Sequence, residues 1–296
     1  FHPACAGGLA ESDRPNPAET IARAVRQHKM KNILLILIIL ILAAKSNAQD
    51  CGYVEYYPLY ELAKKNYAQK NYKEAEINIK LAFEKVDFPL GKGLHLALQV
   101  AKKQNDSEWA EQISIQLAKG GVPLKYFRHL KNYEWYEKFK TDFKKYSNHY
   151  NENFKPELRE KLISLIKKDK KFNSRYHDWR TRKVELTLDE LIEGASQIVT
   201  DFKELTNYYG FPNEKLTGYN YVQRTDRIDY FHTDALMIHI YQRGVIIFRD
   251  KMREIVCDGG LHPNYEETLK KIRGFGNSTG VEQEMKVRYE KYRRTE

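Results

Sequence analysis

Apolar side chains in this chain return every three to four residues, and that spacing restricts it to a fold built from helices. The clearest case lies between Thr187 and Pro212. Thr187 and Glu190 form a capping box, in which each side chain satisfies the other's exposed backbone N–H. Leu191, Ile192, Ala195, Val199, Phe202, Leu205 and Tyr209 then share one helical face. Gly210 can take the left-handed cap conformation, and Pro212 cannot continue the helix. Upstream, Pro156 suits a first helical position because its missing N–H would have had no partner there. It opens a face of Leu158, Leu162, Leu165, Ile166 and Phe172, with the lysine-rich run 167–171 as its solvated end. After a loop at 211–230, further helices are predicted at 232–241 and 245–257, the second broken by Gly259 and Gly260. Pro263 opens a last one, reaching about residue 273. The expected class is all-α.

Residues 55–119 carry a second pattern. Leu59, Leu62, Ala63, Tyr67, Tyr72, Ala75, Ile79 and Ala82 recur at helical spacing around a turn at Asn71. A shift of 35 places Ala97 on Leu62, Ala110 on Ala75 and Leu117 on Ala82, with Asn105 and Asp106 at the second turn. This arrangement resembles the tetratricopeptide repeat, whose period is about 34 residues. The small residues let paired helices approach closely. The second unit lacks the aromatic, with Ser107 at the place of Tyr72, and two units are fewer than the roughly three a solenoid needs. The hairpins are therefore expected to pack on the helical domain that follows.

Gly120-Gly121-Val122-Pro123 ends this region. Residues 125–155 then interleave ten aromatics with eight lysines and arginines. Such a stretch can serve as a platform for sugars or an anionic surface. Spacing of three and four between the aromatics favours short helices that use them as core.

A secretion signal is expected at residues 30–48. Met30-Lys31-Asn32 is a basic start, Ile33 to Ala44 is an apolar run of twelve, and Ser46 and Ala48 are small where a signal peptidase requires it. A membrane span needs about 20 apolar residues, so a signal cleaved after Ala48 is expected, with no transmembrane anchor afterwards. Asp50 before Cys51 argues against a lipid on that cysteine. Residues 1–29 read as an upstream segment outside the working protein. The chain holds 50 Lys and Arg against 40 Asp and Glu; the first 48 residues carry six and three, which leaves 44 against 37, a formal +7. That mild bias, in an exported chain, speaks against nucleic acid as a partner. Cys51 and Cys257 remain, too few for a disulfide scaffold; one bridge between them and two free thiols both stay open. The expected organisation is hairpins at 50–150, a helical domain at 156–275 and a charged tail at 276–296.

The segment Tyr209-Gly210-Phe211-Pro212-Asn213-Glu214-Lys215-Leu216-Thr217-Gly218 resembles the Tyr-Gly-Trp-Pro segment of a bacterial family of exported proteins known as a domain of unknown function. Ala235-Leu236-Met237-Ile238-His239 resembles that family's apolar helix ending in His, and Gly260-Leu261-His262-Pro263 its Gly-x-Leu-x-Pro break. The likeness covers about 156–275. Phe211 stands in place of the Trp, and the acid that tends to follow the family's His is replaced by Ile240 and Tyr241. The resemblance implies an exported helical domain and supplies no reaction.

The candidate ligand-binding residues are Asp229, His232, His239 and Arg243. On a continuous helix, residues 229, 232, 236 and 239 fall near one face, and Arg243 extends it by a turn. Two imidazoles and Asp229 could share a metal, and His239 with Arg243 could receive a phosphate or carboxylate. The His spacing is not that of a strong metal signal, and a hydrogen-bonded core role for His239 is the plainer reading, so neither a metal nor a cofactor is expected. Cys257, Asp258 and His262 are neighbours in sequence, which alone does not make a nucleophile and base. The glycine-punctuated run 274–280 lacks the Gly-Lys-Ser/Thr ending of a phosphate loop. Two functions follow as expectations. The first is a secreted or periplasmic module that binds a protein or peptide, without a catalytic role. The second is a small hydrolase or anionic-ligand-binding domain using His232, His239 and Arg243.

Overall fold

The computed structural model describes residues 51–272 and 278–293. The upstream segment, the signal run and most of the 274–280 loop lie outside those residues. In chain order the helices are α1 (Gly52–Ala68), α2 (Tyr72–Glu84), α3 (Gly91–Gln104), α4 (Ser107–Lys119), α5 (Tyr136–Asn153), α6 (Pro156–Arg180), α7 (Leu188–Tyr209), the single turn α8 (Glu214–Thr217), α9 (Thr233–Gln242), α10 (Met252–Cys257), α11 (Tyr265–Lys270) and α12 (Val281–Arg293). Short 3-10 helices occupy Leu124–Leu130 and Arg249–Lys251. Among the described residues the sheet is a single antiparallel pair, β1 (Asn220–Val222) and β2 (Arg227–Asp229), with Asn220 opposite Asp229. The fold is all-α.

Helices α1 and α2 pair, as do α3 and α4, and the turns fall where the sequence places them. Asn105 adopts a left-handed conformation (φ 57°), and the Asp106 carboxylate accepts the Trp109 N–H at 3.0 Å to cap α4. Ala63, Ala75, Ala82 and Ala110 are fully buried between the pairs. The 35-residue register does not hold everywhere. Leu62 is 44% exposed while Ala97, its expected equivalent, is buried, and Ala63 takes the inward position one residue on. Aromatics of the 125–155 stretch are core: Tyr126, Phe127, Tyr136, Phe139 and Tyr146 are buried. Phe127 and Phe139 meet edge to face at 5.0 Å, a geometry that the ring quadrupoles favour.

In the second half, α7 has the expected capping box: the Glu190 N–H reaches Thr187 Oγ1 at 3.2 Å and the Thr187 N–H reaches Glu190 Oε2 at 2.9 Å. Four expectations need correction. Helix α6 does not end at 167–171 but continues to Arg180; the lysines of that run are exposed, as expected, while Asp169 between them lies on the inward face, 4% exposed. The helix expected at 245–257 is reduced to the 3-10 turn and α10. Gly244 and Phe248 both have positive φ, and the β-branched Val245, Ile246 and Ile247 between them resist helix formation. The loop at 211–230 holds α8 and the hairpin. The charged tail is, over Val281–Arg293, the helix α12, which buries Met285 against Leu186, Leu191 and Ala195.

The halves interlock, and the described residues form one compact unit. Tyr219, 1% exposed, enters the core of the hairpins with Ile228. Its ring fills the place beside Gly120 where a Cβ would stand 2.3 Å away, and its N–H donates to the Gly120 carbonyl at 2.8 Å. Only glycine admits that approach. Cys51 at the start of α1 and Cys257 at the end of α10 are joined by a disulfide with a Cα–Cα distance of 4.6 Å. That bond removes the free-thiol alternative, and with it any nucleophile built on Cys257, Asp258 and His262.

Candidate functional site

The four candidate residues separate into two pairs. Asp229 lies on β2, and His232 sits outside α9 in a left-handed conformation (φ 54°). The continuous stripe 229–239 therefore does not exist. Asp229 Oδ1 pairs with Lys92 at 3.1 Å, and His232 Nε2 stands 4.0 Å from Asp229 Oδ2 on an exposed rim. His239 and Arg243, one turn apart, join a different group.

That group is organised by Asp169. Leu158, Leu162, Leu165 and Asp169 follow one another at helical spacing, so the carboxylate continues an apolar stripe into the interior. Arg243, 3% exposed, donates from Nη2 to Asp169 Oδ1 at 2.6 Å and to Asn173 Oδ1 at 3.0 Å. Asn173 Nδ2 donates to Asp169 Oδ2 at 3.1 Å. His239 Nδ1 lies 2.6 Å from the same oxygen. Asn173 Nδ2 also stands 2.8 Å from His239 Nδ1, so the histidine, the asparagine and the carboxylate share one hydrogen-bonded cluster. The carboxylate partner of His239 thus comes from α6, seventy positions away in sequence.

Asn173, His239 and Arg243 form one wall of a cavity of about 630 Å³ between α6, α9 and α12, with Asp169 behind them. Arg180, Arg243, Lys271, Arg288 and Lys291 line it, with Glu284 as the acid among them. Glu284 accepts from Arg288 Nε at 2.8 Å, and a second nitrogen of Arg288 donates to the Gln242 carbonyl. Arg180 lies over the Tyr292 ring at 4.7 Å. Arg243 stacks on Phe172 at 4.8 Å. Burial lowers its pKa, and the Asp169 charge opposes that shift; an arginine remains charged throughout the ordinary pH range. Its Nη1 is buried with no hydrogen-bond partner among the described residues. Leaving such a donor unmade costs about 1–3 kcal/mol, more when the group is charged.

A smaller cavity of about 190 Å³ lies elsewhere, lined by Glu214, His232, Asp234 and His262 with several aromatic rings. Both turns that carry the family resemblance, at Pro212 and at Gly260 to His262, border it. His232 thus belongs with this second cavity and not with His239. Among the described residues no group of three His, Cys, Asp or Glu is placed to hold a metal ion, and no helix is long and apolar enough to cross a membrane.

Asp169 and Asn173 were hidden in the sequence by the surrounding lysines. A signal was present: Asp169 falls four residues after Leu165 and three before Phe172, on the apolar face. Fold and site together define an all-α protein with a cation-rich cavity served by an Asp–His pair. No protein-family model, curated protein or solved structure matches the chain.

Proposed function

We propose that this protein is an exported binding protein for a small anionic ligand, held in the cavity between α6, α9 and α12. The observation that carries the reading is the divided guanidinium of Arg243. Nη2 is committed to Asp169 and Asn173, while Nη1 of the same cavity-lining residue is buried without a hydrogen-bond partner among the described residues. An anion there would receive a charge-assisted hydrogen bond in a site shielded from water, where such bonds are strongest. Arg180 and Lys291 add attraction at the rim, and a concave wall with one dominant sign of charge concentrates the field. His239 lines the same wall and offers a ring nitrogen for a hydrogen bond. The Cys51–Cys257 disulfide supports the export reading, since such bonds persist in oxidising compartments.

Phosphate and carboxylate share this chemistry, and calorimetric titration with inorganic phosphate, pyrophosphate and citrate tells them apart. Binding of at least one is expected, weakening as salt is raised. Arg180→Met, at an exposed site, should weaken it about 3- to 10-fold, and His239→Gln should weaken it as well. Binding unchanged in both variants, or absent for every anion, would overturn the reading.

A second reading is a protein-binding module. It is favoured by Leu62, Ile77 and Leu81, which stand 40–44% exposed on the first hairpin. Replacing the three with Ser and losing a specific partner from the cell envelope would support it; retention of that partner would refute it.

A further inference from the structure

The smaller cavity has the opposite character. Glu214 and Asp234 both line it, and among the described residues no lysine or arginine does. Glu214 is 5% exposed. Its Oε2 accepts the Gly91 N–H at 2.6 Å, while its Oε1 is buried without a partner. Asp234 repeats the pattern: one oxygen accepts from the Tyr265 hydroxyl, and Oδ1 is buried without a partner. Two residues lining one small space therefore each hold a buried carboxyl oxygen with nothing to accept from. The walls are rings: Tyr57, Tyr230, Phe231, His262 and Tyr265. His262 packs on Tyr57 at 4.1 Å, and burial lowers its pKa, so at neutral pH it adds no positive charge.

We propose that this cavity binds the primary ammonium group of a small amine, with Glu214 Oε1 and Asp234 Oδ1 accepting its N–H donors and the rings of Tyr57, Tyr230 and His262 enclosing it. Carboxylate acceptors require a ligand that donates, and aromatic faces attract cations. A volume below the usual range of about 300–1,000 Å³ restricts the ligand to a few heavy atoms. The site is separate from the cation-rich cavity and does not depend on anion binding there.

A linked proton makes the idea testable. Burial pushes Glu214 up to about 8, although the Gly91 N–H and Lys92 act in the other direction; Asp229 adds to the rise. The charged and titratable groups around it are Lys92 on α3, Asp229 on β2, Tyr53, Tyr56, Tyr57 and Tyr60 on α1, Tyr219 and Tyr230 beside the hairpin, and His232, Asp234, His262 and Tyr265 in the cavity lining. At pH 7 the Glu214 carboxyl is largely protonated, and an ammonium group expels that proton on binding.

The experiment is calorimetric titration of the full chain with n-butylamine at pH 7, in two buffers of different ionisation enthalpy. Expected are a Kd of about 0.1–1 mM and release of close to one proton. Tetramethylammonium, which has no N–H, and 1-butanol, which has no charge, should each bind at least about 10-fold more weakly. A free amine and a lysine side chain offer the same head group. Tighter binding of butylamine than of an N-acetylated, C-amidated lysine assigns the site to free amines, and the reverse order overturns that assignment. Glu214→Gln keeps the acceptor for Gly91 and should abolish proton release; Asp234→Asn should weaken binding about 10-fold while leaving release in place. No binding of butylamine by the wild-type chain, binding without proton release, or equal binding of tetramethylammonium would each overturn the proposal. All three are read on the wild-type chain, so they stand even if a variant fails to fold.

Discussion

Replacing Asp169 by Asn tests the organising contact of the larger site. The two side chains are nearly the same shape, and the amide oxygen can still accept from Arg243, so the change removes little besides charge. Asp169 and Arg243 are 4% and 3% exposed, and the Arg243 Nη2–Asp169 Oδ1 distance is 2.6 Å. Water therefore cannot replace the lost carboxylate. Breaking a buried pair from one side costs about 3–5 kcal/mol, because it strands the other charge. For a unit of this size each kcal/mol is worth about 2–4 °C, so the melting temperature should fall by about 6–20 °C. Arg243→Met should cost a similar amount by stranding the carboxylate. The double variant strands neither charge and should lose only about 1–2 kcal/mol. Urea denaturation followed by circular dichroism, with constant slope across the four proteins, gives the coupling energy, expected above about 2 kcal/mol. The penalty should persist at 1 M salt, since a buried pair is poorly screened. A loss below about 1 kcal/mol for Asp169→Asn, or two single losses that simply add in the double variant, would refute the claim that one buried charge holds the other.

Reducing the Cys51–Cys257 bond, which closes a loop with a sequence separation of 206, should cost at most about 5 kcal/mol and lower the melting temperature measured with and without a thiol-free reductant. Gly120→Ala sets a Cβ 2.3 Å from the Tyr219 ring and should destabilise by about 1–3 kcal/mol in chemical denaturation; a neutral result would mean Tyr219 does not occupy that place. Glu214 holds its proton more tightly when folded, up to about 8 against an ordinary 4.5, so native-state stability falls as pH rises through that window. Glu214→Gln should give a flatter urea midpoint between pH 5 and pH 8, and an unchanged slope would be the contrary result.

Much of the fold was legible because its signals are local. The α7 capping box, the left-handed Asn105, the turn at Asn71 and the buried alanines of the hairpins all depend on residues a few positions apart. Failures occurred where a distant group decided. Asp169 sits among lysines that suggest solvent, and only the packing of α9 against α6 turns it inward. The stripe from Asp229 to His239 assumed a continuous helix; pairing between β1 and β2, and the left-handed His232, divide it. His239 was legible as a histidine on an apolar helix, but its carboxylate partner lies on α6 and leaves no mark beside it in the sequence.

By itself, the sequence determined the class of structure, most of its helix boundaries and the spacing of its buried alanines and aromatics, because hydrophobic periodicity, caps and breakers act over one or two turns. It also contained both halves of each later pairing: the two cysteines, the histidine and the aspartate, the tyrosine and its glycine. Only the tertiary structure decided which halves meet. Those contacts are set by helix packing across tens to hundreds of positions, where burial and charge pairing act on neighbours in space. The same packing gathered the cations around one cavity and the unpartnered carboxyl oxygens around another.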